Sequence, residues 1–438
     1  MKAKIQDIRQ SLGQHILADG FEPVMDIEKS HGSWLVDERD GTEYLDMFSM
    51  FASGAVGYNH PNIIAQRKKL GIVSQNKPTL SDIYNVYYAE FLETFSRLAI
   101  PEYLPNAFFI EGGALAVENA LKIAFDWKVR KNLEGGKGEI GEQIIHFKQA
   151  FHGRSGYTLS LTNTTDPRKT MYFPKFDWPR VENPKLTFPI TEEVLAEVKQ
   201  KEETALKQIK DALQNNPNDI AALIIEPIQG EGGDNQFRDE FFVALRHLCD
   251  ENEMLLIMDE VQTGIGITGK WWAHDHYSIN PDIITFGKKT QVCGLLAGKR
   301  IEEVENHVFV ESSRINSTFG GNLTDMVRFQ IILEIIEEEN LLANATEMGK
   351  FLLNKIHGLC EEFPAFVTNP RGLGLWAAFD LPSQTERDTL IGKLHENKLL
   401  ILPSGDQAVR FRPHLNVNAE QLLLAIDIIR KTVKSVLN

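Results

Sequence analysis

Residues 255–289 read LLIMDEVQTGIGITGKWWAHDHYSINPDIITFGKK. Leu255 to Met258 is an apolar run of strand length that ends on Asp259-Glu260. After a loop, Asp282 to Phe286 is a second such run, and it delivers Lys288. Parallel α/β sheets bind ligands beyond the carboxyl ends of their strands, so this acid and this lysine can face one crevice. A carboxylate for a pyridinium nitrogen and a desolvated amine for an aldehyde are the pair that pyridoxal phosphate chemistry requires. Two readings stay open within the pair. In extended chain Lys288 and Lys289 point to opposite faces, so only one reaches the crevice. The alternative for Asp259 is that it caps the turn that follows its strand.

The same stretch contains a decoy. Gly264-Ile-Gly-Ile-Thr-Gly269 matches GxGxxG, but Glu260 to Thr263 separate it from the strand and Lys270-Trp-Trp follows it. A dinucleotide fingerprint opens a helix directly after its strand, so a connecting loop is expected instead. His274-Asp-His276 has no third ligand at a suitable spacing, which argues against a metal site.

Working outward, 438 residues suffice for two cores, and 42% hydrophobic with 24% charged residues is ordinary for globular proteins. A formal charge of -15 argues against nucleic acid or an anionic membrane as the main partner. Cys249, Cys293 and Cys360 form no disulfide framework. With no apolar signal segment and no membrane-length apolar run, a cytoplasmic enzyme is expected.

In chain order, a short N-terminal helix precedes a hairpin at residues 42–46 and a glycine-rich loop at 53–61. Tyr84, Tyr87, Tyr88, Phe91, Phe95 and Leu98 recur at helical spacing as a core-facing stripe. Asn106 to Ile110 is a strand, followed by Glu111-Gly-Gly113 and a helix. Strand, glycine turn and helix form a cradle for an anion on first-turn N–H groups. Gly135 to Gly141 is a surface loop without the GK[ST] ending of a P-loop. Further strands are expected at 143–147, 221–228, 254–259, 282–286 and 295–298, with a solvated helix over 191–215. Alternating strands and helices imply a mainly parallel sheet covered on both faces. A helix over 322–340 leads into an α+β unit with strands at 374–380, 399–402 and 409–411, closed by a helix over 419–436.

Several other motifs fall at strand ends. In Phe151-His-Gly-Arg-Ser155, the phenylalanine can cover a flat ring and Arg154 can pair with a carboxylate; a core phenylalanine beside a surface arginine is the plainer alternative. Glu226-Pro-Ile-Gln-Gly-Glu-Gly-Gly233 ends another strand, and Ser317-Thr318-Phe-Gly-Gly321 offers a hydroxyl for a phosphate. In Val409-Arg-Phe-Arg-Pro413 the alternation sets Arg410 and Arg412 on one face, where at least one should be solvated.

Together MDEVQTG, PDIITFGKK, EPIQGEGG, FHGRS and STFGGN resemble, in order and spacing, the class III (ω-) aminotransferases of the fold-type I pyridoxal phosphate enzymes. The resemblance spans essentially the whole chain. It implies an aspartate-aminotransferase-like α/β fold, with a mainly parallel seven-stranded sheet in a large domain. A small α+β domain would come from the N- and C-terminal segments, with divisions at 1–60, 61–325 and 326–438. The strings EGGALAVENALKIAFDWK, PDIITFGKKTQVCG and SRINSTFGGNLTDM are most similar to the branch acting on the ε-amine of lysine. That implies transfer of this amine from L-lysine to 2-oxoglutarate, giving 2-aminoadipate 6-semialdehyde, which cyclises, and L-glutamate.

Residue by residue, the resemblance implies Lys288 as the cofactor-bearing base and Asp259 as the partner of the ring nitrogen. Gln262 would touch the cofactor and the substrate side, Phe151 would stack on the ring, and His152 and Glu226 would support it. Gly113 and Ala114 would hold the phosphate. Most of the family has Ser or Thr before the glycine of this turn; Gly112-Gly113-Ala114 leaves the task to backbone N–H groups. Thr318 would reach the phosphate from the second subunit of a homodimer. Arg154, Arg410 and Asn316 would bind substrate, with Glu231 masking Arg410 while lysine is bound. The competing activities are another ω-aminotransferase (ornithine, 4-aminobutyrate or a diamine), a cofactor-dependent mutase or decarboxylase, and a non-catalytic protein on the same fold.

Overall fold

The computed structural model describes residues 8–437, so residues 1–7 of the expected N-terminal helix lie outside it; a helix is present at Ile8–Gly13. Seven strands form the main sheet, in the order Asn106–Ile110, Cys293–Ala297, Ile283–Phe286, Leu255–Asp259, Ile220–Ile225, Gln143–Phe147 and Arg180–Val181. Pairing is parallel from Ile283–Phe286 outward to Arg180–Val181, while Cys293–Ala297 runs antiparallel to both neighbours. The central strands are buried along their whole length because helices cover both faces, which explains their unbroken apolar sequences. One consequence positions everything else. Ile110, Phe147, Ile225, Asp259 and Phe286 all end at the same edge of the sheet.

Two smaller sheets tie the chain ends together. Trp34–Val36 pairs antiparallel with Glu43–Asp46, which pairs parallel with Leu399–Leu400. A four-stranded antiparallel sheet has the order Thr368–Leu373, Trp376–Asp380, Ala408–Phe411, Leu402–Ser404. The strand expected over 399–402 is therefore two strands in two sheets, divided at Ile401; its local pattern cannot reveal a change of partner. Tyr84 also differs from expectation. It precedes the Val86–Leu98 helix and is 76% exposed, and the buried stripe is carried by Phe91 and Phe95.

The GIGITG stretch is a loop, packed so closely that a Cβ on Gly264 would lie 2.7 Å from the Trp272 ring. Buried Glu260 organises it, accepting from the backbone N–H groups of Ala273 and His274 and from the Thr263 hydroxyl. His274 sits between Glu260 and the Tyr103 hydroxyl, 2.5 Å from the latter. No helix among the described residues is long and apolar enough to cross a membrane.

Candidate active site

A cavity of about 510 Å³ opens at the common strand edge, bordered by Gly113, Ala114, Phe151, His152, Asp259, Gln262 and Lys288. Asp259 is the last residue of its strand and is buried. Its Oδ2 lies 2.7 Å from His152 Nδ1, and its Oδ1 accepts from Thr285 Oγ1 at 3.0 Å and from the Val261 N–H at 3.1 Å. Asp259 thus caps the turn through Oδ1 and also borders the cavity. His152 Nε2 is buried without a partner. Glu226 fixes the neighbouring loops, accepting from the N–H groups of Phe151 and Gly230, each at 2.9 Å. Burial pushes its carboxyl up to about 7, despite the opposing pull of His152.

Lys288 borders the cavity and Lys289 does not. Burial lowers the Lys288 amine to about 8, with Asp259 opposing the shift. The choice does not come from strand alternation, because the strand ends at Phe286. Gly287 and a left-handed Lys288, at φ 54°, turn the chain so that Lys289 enters the protein interior. There it is fully buried with no partner for Nζ, and burial drives its amine well below the ordinary lysine value.

At the other end of the cavity the helix Gly113–Glu134 begins without any side-chain cap. Its first-turn N–H groups are therefore available to an anion. Two glycines allow the close approach. A Cβ on Gly113 would lie 2.9 Å from Val261 Cγ1, and one on Gly153, at φ 121°, would lie 2.6 Å from the Ala114 Cβ. An anion cradle, an amine of lowered basicity and an oriented carboxylate in one cavity fit the phosphate, aldehyde and ring nitrogen of pyridoxal phosphate. Asn316 and Thr318 are exposed and do not line the cavity of their own chain.

The cavity continues into a second space of about 500 Å³ bordered by Phe51, Arg154, Lys169, Glu231, Arg387 and Arg410. Arg154 is exposed, whereas Arg410 and Arg412 are both buried, at 6% and 1% exposure. The expectation that one of them is solvated is therefore wrong. Arg412 lies beyond the Ala408–Phe411 strand, where protein partners replace water. It pairs with Asp234, donates to Gln262 Oε1 at 3.1 Å, and stacks 3.3 Å above the centre of the Trp376 ring. Arg410 has no partner for Nε or Nη1. Glu231, expected to mask it while lysine is bound, pairs here with Lys169 and accepts from Thr164 Oγ1 at 2.9 Å.

Sequence reasoning missed Phe51, Lys169 and Arg387. Phe51 lies in the run Ser49 to Ala52, whose φ angles are 41°, 52°, 57° and 67°. A left-handed run without glycine carries no local signal, because tertiary contacts impose it. Lys169 follows Asp166-Pro167, which signals a turn but not its ion-pair partner 62 residues away.

Fold and site define a pyridoxal phosphate-dependent fold-type I transaminase. The chain belongs to the family Aminotransferase class-III, which matches residues 17–433. It is 50% identical over 430 residues to an L-lysine-epsilon aminotransferase of Mycobacterium tuberculosis, covering 97% of this chain and 95% of the relative. It is 44% identical over 435 residues to the L-lysine-epsilon aminotransferase of Streptomyces clavuligerus, covering 98% of this chain and 95% of that one. Among solved structures, the lysine aminotransferase from M. tuberculosis in its internal aldimine form superposes with a TM-score of 0.97 at 49% identity. That match covers 99% of this chain and all of the other.

Proposed function

We propose that the protein transfers the ε-amino group of L-lysine to 2-oxoglutarate, giving 2-aminoadipate 6-semialdehyde, which cyclises to piperideine-6-carboxylate, and L-glutamate. The observation that carries this is a pair of adjoining cavities that share Lys288 and Arg154, one bordered by Asp259 and the other by Arg410. Identity of 44–50% over almost the full length to L-lysine-epsilon aminotransferases supports lysine as the donor. Bound pyridoxal phosphate supplies an aldehyde that condenses with amines and a protonated ring that accepts an electron pair. Gly113 and Ala114 would hold its phosphate through backbone N–H groups, Phe151 would cover the ring, and Asp259, oriented by His152, would pair with the ring nitrogen. Gln262 lies on the substrate side, and Glu226 supports His152 and Phe151.

Arg154 holds the carboxylate remote from the reacting carbon in both substrates. Lys288 Nζ takes the proton from the ε-carbon of lysine and, in the second half-reaction, delivers one to the carbon of 2-oxoglutarate that becomes the α-carbon of glutamate; a base so placed contributes about 10²–10⁴-fold. The carboxylate of 2-oxoglutarate beside the reacting carbon goes to Arg410, which Glu231 leaves open for it. The working unit is a cytoplasmic homodimer in which Asn316 and Thr318 act on the partner's site. Within each chain, 61–325 forms the large domain, and 1–60 with 326–438 the small one. The test is single-turnover bleaching of the visible cofactor band with L-lysine, L-ornithine and 4-aminobutyrate, followed by product analysis. Faster bleaching by ornithine or 4-aminobutyrate would overturn the assignment of lysine.

A further inference from the structure

We propose that Lys169 is a positioning residue that competes with Arg410 for the Glu231 carboxylate and thereby sets which substrate the site accepts. The inference rests on the two-substrate reading above. Its starting point is an asymmetry. Arg410 is buried and leaves Nε and Nη1 without partners, while the nearby carboxylate of Glu231 is bound to Lys169 and Thr164. The other carboxylates around Arg410 are committed. Asp234 holds Arg412 and accepts from Ser404 Oγ at 2.5 Å, and Glu226 holds two backbone N–H groups. Glu231 borders the same space as Arg410 and is partly exposed, at 23% side-chain exposure.

Both ends of the Lys169–Glu231 pair are built for exchange. The backbone of Glu231 is pinned, its carbonyl accepting from the Gly405 N–H at 2.8 Å, so only its side chain needs to move. Lys169 ends the short turn Pro167–Lys169, which Asp166 caps through the Arg168 N–H at 3.1 Å. The Asp166 carboxylate also pairs with the Arg168 guanidinium, leaving Glu231 as the carboxylate for Lys169. An unpaired charge in a partly buried site is unfavourable, so a carboxylate handed between two cations is easier to move than one that must be abandoned. With Glu231 on Lys169, Arg410 is open to the carboxylate of a 2-oxo acid. With Glu231 on Arg410, that charge is cancelled and the longer chain of lysine is accommodated. Remove Lys169, and Glu231 settles on Arg410.

The test compares Lys169→Met, Glu231→Gln and the double variant with the wild-type holoenzyme. Glutarate, an unreactive dicarboxylate, is titrated by calorimetry, and KM is measured separately for 2-oxoglutarate and for L-lysine. Lys169→Met is expected to weaken glutarate binding and raise KM for 2-oxoglutarate, each about tenfold, and to lower KM for lysine. In the Glu231→Gln background the same substitution should change none of these, and Lys169→Arg should behave as wild type. Equal weakening in both backgrounds would mean that Lys169 touches the dicarboxylate directly, which overturns the proposal. So would an unchanged glutarate affinity in Lys169→Met alone. If the wild type does not turn over lysine, the functional assignment fails, yet the glutarate titration still reads Lys169 by itself.

Discussion

Asp259 and His152 meet at 2.7 Å across the crevice although 107 residues separate them in the chain. The contact links the end of one central strand to the loop after another, and both side chains are buried. It orients the carboxylate while Thr285 and Val261 hold its second oxygen. Asp259→Asn keeps an acceptor for the Val261 N–H but removes the charge facing the ring nitrogen. Its kcat is expected to fall about 10²–10³-fold with the circular dichroism spectrum unchanged. A decrease of less than twofold would remove Asp259 from the chemistry.

The two adjacent lysines should separate cleanly. Borohydride trapping of the holoenzyme followed by peptide mapping is expected to place the label on Lys288, and Lys288→Ala should abolish it. Lys289→Met should keep the label. It replaces a buried, unpartnered amine with an apolar chain of similar shape, so stability in urea should hold or rise by about 1 kcal/mol. A label on Lys289 contradicts the geometry.

Burial lowers the Lys288 amine to about 8, which gives cofactor loading a defined pH dependence. The neutral amine attacks the aldehyde, so the rate of pyridoxal phosphate attachment to apoprotein should rise with pH and level off above about 8. The sign for stability follows from the same shift. Between about 8 and the ordinary value of 10.5, the unfolded chain still binds a proton that the folded chain has released. This group therefore makes the apoprotein more stable as pH rises through that interval. Stopped-flow absorbance and urea titrations at several pH values check both statements, with Lys288→Ala as the reference.

The Asp234–Arg412 pair is almost wholly buried, each side chain 1% exposed. Asp234→Asn retains a residue that tolerates its left-handed backbone, φ 54°, and so isolates the loss of charge. A guanidinium left alone in that position should cost about 3–5 kcal/mol in chemical denaturation. Equal stability of variant and wild type would show that the Trp376 ring and Gln262 suffice to hold Arg412.

The sequence alone determined the parts of this protein written in short-range patterns. Apolar runs too continuous for a one-sided sheet marked the central strands, and the residues after them, Asp259, Glu226 and the glycine turn at 112–113, marked the ligand edge. Order along the chain then implied family and cofactor. Three features were settled only by tertiary structure. Lys288 rather than Lys289 faces the cavity because the backbone turns left-handed beyond the strand, not because of strand alternation. Arg410 and Arg412 are both buried because Asp234 and Trp376, brought from distant segments, replace the water that a local pattern assigns to an arginine. Glu231 rests on Lys169 and leaves Arg410 open, since the partner of a charge is fixed by the position of every other charge around it. Periodicity reports which face of an element is apolar; it carries no information about which distant side chain completes a polar group.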